Sequence, residues 1–123
     1  MNIYSEMVNL IKSALHAAVE AHRYVFLPSD DPVLKLRLES GAVATALRGF
    51  SLIQSAKSLY VVSGQDNDLL IDVFHRYESF VREITQSFAV DHGHQWTDAE
   101  FSQLLNLVKD TELEISLPED LVS

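Results

Sequence analysis

Cysteine is absent from the 123-residue chain, and proline (three residues) and glycine (four residues) are scarce. Without thiols there are no disulfides and no cysteine chemistry, which favours a cytoplasmic setting. The phosphate-binding patterns G-x-G-x-x-G and G-x-x-x-x-G-K-[ST] do not occur, and neither do the nucleophile motif G-x-S-x-G and the zinc motif H-E-x-x-H. The sequence therefore contains none of the common motifs for nucleotide binding or hydrolysis, and no cofactor is expected.

Basic residues are few, and acidic residues concentrate near the C-terminus. The net charge is −9, yet residues 1–62 carry six basic and five acidic groups, whereas residues 91–123 carry eight acidic groups against Lys109 alone. This balance argues against direct nucleic-acid binding, which depends on Lys and Arg meeting phosphates. The acidic end, including Asp110, Glu112 and Glu114, is interpreted either as a solvated surface or as a contact for a basic partner.

A long uninterrupted apolar run is also missing. The most apolar stretch, residues 41–62, contains Arg48 and Lys57, so no membrane span is expected. The first residues have the pattern of a helix start and not of a signal peptide.

The apolar pattern predicts an all-α fold. A heptad seam predicts a first helix over residues 3–25, and a second helix is expected from Pro32, most firmly over 41–62. A third helix is predicted over 68–90 and a fourth from a Thr97–Glu100 capping box to Lys109. The seam residues are Tyr4, Val8, Ile11, Leu15, Ala18, His22 and Val25. Short connections favour an antiparallel four-helix bundle-like domain over 1–109, followed by an acidic tail or edge strand over 110–123.

An alternative remains open at the start of the second helix. Residues 33–39 and 113–117 both alternate between apolar and polar side chains, which is typical of strands. Paired as a two-stranded ribbon, they would bring basic and acidic side chains together. Because Leu and Lys are strong helix formers, we favour the helix.

Gly41, Thr45 and Gly49 form a row of small residues at a spacing of four along the second helix. Small side chains allow a neighbouring helix to approach closely. The row predicts either tight packing within the chain or a homodimer contact, and the homodimer is our preferred state because the first two helices are broadly apolar.

Several histidines and carboxylates have spacings found in metal sites. His16 and Glu20 are four residues apart, and Asp72–His75 and Asp91–His94 are each three apart. His92 and His94 place two imidazoles in one predicted loop. The pattern lacks a Glu-x-x-His pair, so solvated or hydrogen-bonded histidines are the simpler interpretation and no physiological metal is assigned.

Two further side chains have two interpretations each. His22 lies on the apolar seam, either as a hydrogen-bonded core histidine or as a pH-sensitive residue at a dimer contact. Trp96 is expected to pack as a hydrophobic staple onto the fourth helix, or to join Tyr24, Phe26 and the loop histidines in a partner site.

The sequence favours a protein–protein interaction module, such as a small regulator or adaptor, without catalytic activity. A first alternative is an acidic inhibitor or immunity-type protein that blocks a basic nucleic-acid-binding surface. A second is a metal-dependent helical-bundle enzyme that uses His16, Glu20, Asp72 and His75. The partner in the favoured interpretation is another protein.

Overall fold

A computed structural model describes residues 2–89 and 94–117, and within these ranges the chain is helical with no strands. The four helices are α1 (Ile3–Phe26), α2 (Pro32–Ser63), α3 (Asp68–Ala89) and α4 (Gln95–Val108). They pack together as a bundle, which confirms the predicted all-α class. Met1 and residues 90–93 and 118–123 lie outside the described part of the chain.

Polar caps define where α1, α2 and α3 begin. The Asn2 carboxamide accepts from the backbone N–H of Tyr4 at 2.9 Å, and the Asp31 carboxylate accepts from Val33 at the same distance. The Asn67 side chain accepts from the backbone N–H of Leu70 at 3.2 Å. Each cap satisfies a backbone donor that has no partner inside its helix.

The proposed ribbon of residues 33–39 with 113–117 is wrong. Asp31 caps the helix and Pro32 occupies its first turn, so residues 33–39 form the start of α2. The alternation of leucines does not mark a buried face there, since Leu34 and Leu36 are both exposed. Residues 113–117 contain no strand.

The Thr97–Glu100 capping box is also wrong. His94 precedes the first residue of α4, so Thr97 lies inside the helix as its third residue. Its hydroxyl is buried with no hydrogen-bond partner among the described residues, while Glu100 lies 3.7 Å from the Arg76 guanidinium. Trp96 does not act as a staple either, because 59% of it is exposed.

The chain after α4 folds back onto the bundle through Leu113, which is fully buried. The Thr111 hydroxyl donates to the Val108 carbonyl at 2.6 Å and accepts from the Leu113 backbone N–H at 3.1 Å. These bonds turn the chain so that Ile115 and Leu117 also pack against the core.

The core is built from the α1 seam and from large side chains of α3. Met7, Ile11 and Leu15 of α1 are fully buried, as are Tyr77 and Phe80 of α3. The core-facing side of α2 consists mainly of small residues. These are Ala42, Thr45, Ala46, Gly49, Ile53 and Ala56.

Tyr77 connects three helices at the centre of the bundle. Its hydroxyl lies over Gly49 of α2 and donates a hydrogen bond of 3.0 Å to the Ala14 carbonyl of α1. A methyl group added at Gly49 would overlap the hydroxyl oxygen and would lie 2.8 Å from Tyr77 Cζ and 3.0 Å from Ala17 Cβ. Gly49 is therefore needed for this contact.

We expect Gly49→Ala to lower the free energy of unfolding by about 1–3 kcal/mol, because the added methyl group must displace Tyr77. Gly41→Ala is the matched control on the same helix, since there the nearest atom would be a Tyr24 ring carbon at an ordinary 3.7 Å. Urea denaturation of both variants measures the difference. In a Tyr77→Phe background the cost of Gly49→Ala should shrink, and an unchanged cost would contradict the contact.

Burial raises the pKa of the Tyr77 hydroxyl above its usual value of 10.0. As the pH rises above 10, the Tyr77 hydroxyl ionises in the unfolded chain but stays protonated in the folded protein. The unfolded state is thereby favoured, so the free energy of unfolding falls as the pH rises. We expect the free energy of unfolding to fall above about pH 10, and to fall less steeply in Tyr77→Phe. Urea denaturation between neutral and alkaline pH tests this, and equal slopes for the two proteins would disprove it.

Candidate interaction surface

The outward face of α2 carries exposed apolar side chains over its N-terminal half. Val33 is 61% exposed, Leu36 64% and Leu47 47%, and the small residues Ser40 and Ala44 between them are exposed as well. We call Val33, Leu36, Ser40, Ala44 and Leu47 the outer stripe. It lies opposite the small residues that face the core, so α2 is apolar on both sides. A contiguous apolar patch of this kind is typical of interaction sites.

A groove runs along one edge of the outer stripe. It has a volume of about 550 Å³ and lies between Val43 of α2 and Phe88 at the C-terminal end of α3. Leu36, Ala44 and Leu47 of the outer stripe also line it. The groove is shallow and open, and it extends the surface from α2 to Phe88 of α3, with Glu39 also in its lining.

The outer stripe ends at Ser51. The exposed positions that continue the same line along α2 are Ser51, Gln54, Ser55 and Ser58. The apolar surface is therefore confined to the first half of the helix. Val61 and Val62 near the end of α2 are exposed again, but lie beyond this polar interval.

The charge of α2 differs from that of the rest of the chain. The helix contains four basic residues and one acidic residue in a protein of net charge −9. Arg48, beside the outer stripe, lies 3.3 Å from the Glu20 carboxylate of α1. The hydroxyl of Tyr24 donates to the same carboxylate at 2.8 Å, and this bond raises the pKa of Tyr24.

The row of small residues predicted on α2 lies against other parts of the same chain. Gly49 faces Tyr77 and Ala17, Gly41 faces the Tyr24 ring, and Thr45 is buried. Packing within the chain accounts for Gly49. The outer stripe, and not this row, is the side of α2 that meets solvent.

His22 lies in an aromatic cluster where α1, α3 and α4 meet. Its ring stacks on Phe101 with centroids 4.0 Å apart and contacts Phe26 at 4.6 Å. Nε2 lies 2.9 Å from the Asp98 carboxylate, whereas Nδ1 is buried without a partner among the described residues. Because a carboxylate oxygen accepts, Nε2–H is the donor in this contact, and the stacked rings hold the imidazole in place.

His94 extends this cluster toward α3. Its Nδ1 lies 3.0 Å from the Ser87 hydroxyl, and its ring contacts Phe88 at 5.1 Å. The Ser87 hydroxyl donates its proton to the Ile84 carbonyl at 3.0 Å, so it accepts from His94. A nucleophilic serine donates its proton to the histidine, whereas Ser87 accepts from His94 and is buried. The Ser87–His94 pair therefore lacks the arrangement of a serine–histidine nucleophile.

The candidate metal ligands do not form a cluster in the described part of the chain. No group of three or more His, Asp or Glu side chains there has the geometry of a metal site. His16 is exposed on α1, and Glu20 is engaged by Tyr24 and Arg48. Asp72 and His75 lie on the surface of α3. Asp91 and His92 fall outside the described residues.

The acidic residues after α4 contact other groups in the same chain. The Glu112 carboxylate accepts from the Tyr4 hydroxyl, and the Glu114 carboxylate accepts from the Asp110 backbone N–H at 3.1 Å. Asp110 itself adopts a left-handed backbone conformation with φ of 62°. These bonds give Glu112 and Glu114 a role in holding the returning chain.

The outer stripe was not predicted from the sequence. Val33 and Leu36 lie within the strand-like segment 33–39, and the small-residue row, which predicts either packing within the chain or a homodimer contact, lies on a different side of α2. One available signal was that apolar residues occur on all sides of α2, which is unusual for a surface helix.

Comparison with protein families, with curated proteins and with solved structures finds no match to this chain. None of the helices in residues 2–89 and 94–117 is both long and apolar enough to cross a membrane.

We expect His22→Ala to lower the free energy of unfolding by about 2–4 kcal/mol, because it empties a site packed between Phe101 and Phe26. Asp98→Ala should cost less than about 1 kcal/mol, because the Asp98 side chain is 57% exposed and its bond to His22 is solvated. Urea denaturation of both variants at neutral pH measures the two costs. Equal costs would show that the pairing with Asp98, and not the packing, is the main role of His22.

Proposed function

We propose that this protein is a non-catalytic protein–protein interaction module, a small regulator or adaptor whose contact with a protein partner, a second copy included, is made through the outer stripe of α2. The observation that carries the proposal is the exposure of Val33, Leu36 and Leu47 on one side of one helix. Removing apolar surface from water contributes roughly 25 cal/mol per Å², so these side chains favour a contact that covers them.

The shape of the surface fits a helical partner. A helix presents apolar side chains at spacings of three and four, and such a row can lie along the outer stripe. The groove beside Phe88 accepts side chains from the edge of that helix. The homodimer preferred from the sequence is one form of this contact.

The hydrogen bonds of the acidic residues favour the outer stripe, and not the acidic end of the chain, as the contact surface. Glu112 and Glu114 already accept hydrogen bonds within the chain, so a basic partner would compete with them. Covering the outer stripe displaces no such bond, because its side chains are apolar apart from Ser40. A contact at the outer stripe therefore removes fewer polar groups from water than a contact at the acidic end, and its free-energy cost of desolvation is lower.

Site-specific photocrosslinking in cells that express the chain naturally tests the proposal. A benzophenone amino acid replaces Leu36, Leu47 or Val61 in turn, and adducts are compared by mass spectrometry. Val61 is the matched control because it is apolar, 78% exposed and on the same helix. We expect one and the same protein adduct from positions 36 and 47 and none from position 61.

The adduct should also disappear when the outer stripe is made polar. We expect Leu36→Asp to abolish crosslinking from position 47, while Val61→Asp leaves it unchanged. Absence of any protein adduct from positions 36 and 47, or equal adducts from all three positions, would refute the outer stripe as the contact surface.

A further inference from the structure

We infer, building on the proposed function, that the occupant of the outer stripe is a second copy of this chain, with the two α2 helices antiparallel about Ser40. The successive spacings of Val33, Leu36, Ser40, Ala44 and Leu47 are three, four, four and three. This series is the same in both directions along the helix. A two-fold rotation about Ser40 therefore brings each position of the row opposite another position of the same row.

The sizes of the side chains match across this two-fold axis. Ser40 meets Ser40 of the second copy, so the two helices can approach closely at the centre. Leu36 lies opposite Ala44 of the second copy, which pairs a large side chain with a small one. Val33 lies opposite Leu47 at each end, and both are exposed in the single chain. Large side chains facing small ones allow helices to interdigitate.

The groove beside the outer stripe receives the side chain that this pairing brings to it. Leu36 of the second copy reaches Ala44 at the edge where Val43, Leu47 and Phe88 line the groove. By symmetry each copy inserts one leucine and receives one. The contact is thereby extended from α2 to the C-terminal end of α3.

The row that follows the two-fold line carries no charge, while Glu39 lines the groove that receives Leu36 of the second copy. All five residues of the outer stripe are uncharged, so pairing buries no ion at the centre. Arg48 at the rim is already paired with Glu20 of its own chain at 3.3 Å. Arg37 lies at the same rim in each copy and remains accessible to solvent.

The absence of cysteine allows the geometry to be tested by single cysteine substitutions in the full chain. In the antiparallel pair, Ser40→Cys places two thiols at the two-fold axis, where a disulfide can form. Leu47→Cys places them about 21 Å apart along the helices, from a rise of about 1.5 Å per residue, so it should not crosslink. Ser58→Cys is the matched control on the polar continuation of the same line.

The variants are oxidised with copper phenanthroline and run on non-reducing gels, and the wild-type chain is examined by sedimentation equilibrium. We expect a doubled mass for the wild type and a monomer for Leu36→Asp. Among the single cysteine variants, only Ser40→Cys should give a crosslinked dimer. The double variant Leu36→Cys/Ala44→Cys should crosslink as well. Val61→Asp should remain dimeric.

Three outcomes would overturn the inference. A monomeric wild-type chain at high micromolar concentration would exclude the second copy as the occupant. A dimer in which both Ser40→Cys and Leu47→Cys crosslink would show a parallel pair, and a dimer insensitive to Leu36→Asp would show a different contact face. If the chain is monomeric while a different protein is crosslinked from positions 36 and 47, this inference fails and the proposed function stands.

Discussion

The hydrogen bond from Tyr77 to the Ala14 carbonyl, made across Gly49, determines how the helices are arranged. One side chain of α3 passes α2 at its smallest residue and ends on the backbone of α1. The contact therefore fixes the rotation of α2 about its own axis as well as its distance from α1. With Gly49 turned inward, Leu36 and Leu47 must face away from the core. The proposed contact surface is in this sense a consequence of the core.

The sequence was sufficient for the elements whose apolar residues form a single narrow face. In α1 the seam through Ile11, Leu15 and Ala18 predicted both the helix and its buried side. The sequence did not suffice to predict the structure at positions where a local pattern competes with tertiary packing or with a helix cap. The strand-like alternation after Pro32 was overridden by the Asp31 cap. The Thr97–Glu100 pair matched a capping box, but α4 begins before it, so the pattern fell within the helix.

The candidate surface could not be predicted because α2 is apolar on more than one side. Periodicity then indicates a helix without saying which side is buried. That choice depends on Tyr77, which is far from α2 in sequence. The small residues of α2 were recognised, and Gly49 proved to be a packing position within the chain. Leu36 and Val33 were missed because their exposure follows only from that packing.

The polar line that continues the outer stripe, from Ser51 to Ser58, has a consequence for the size of the assembly. In the proposed pair each copy uses its entire apolar stripe, and the next surface along α2 is already well hydrated. A third copy would find no matching patch, so growth stops at two subunits instead of continuing into a filament. In the proposed pair, these polar positions mark the end of the contact along α2. Replacing this line with leucines would lengthen the apolar row and allow the two helices to pair in shifted registers.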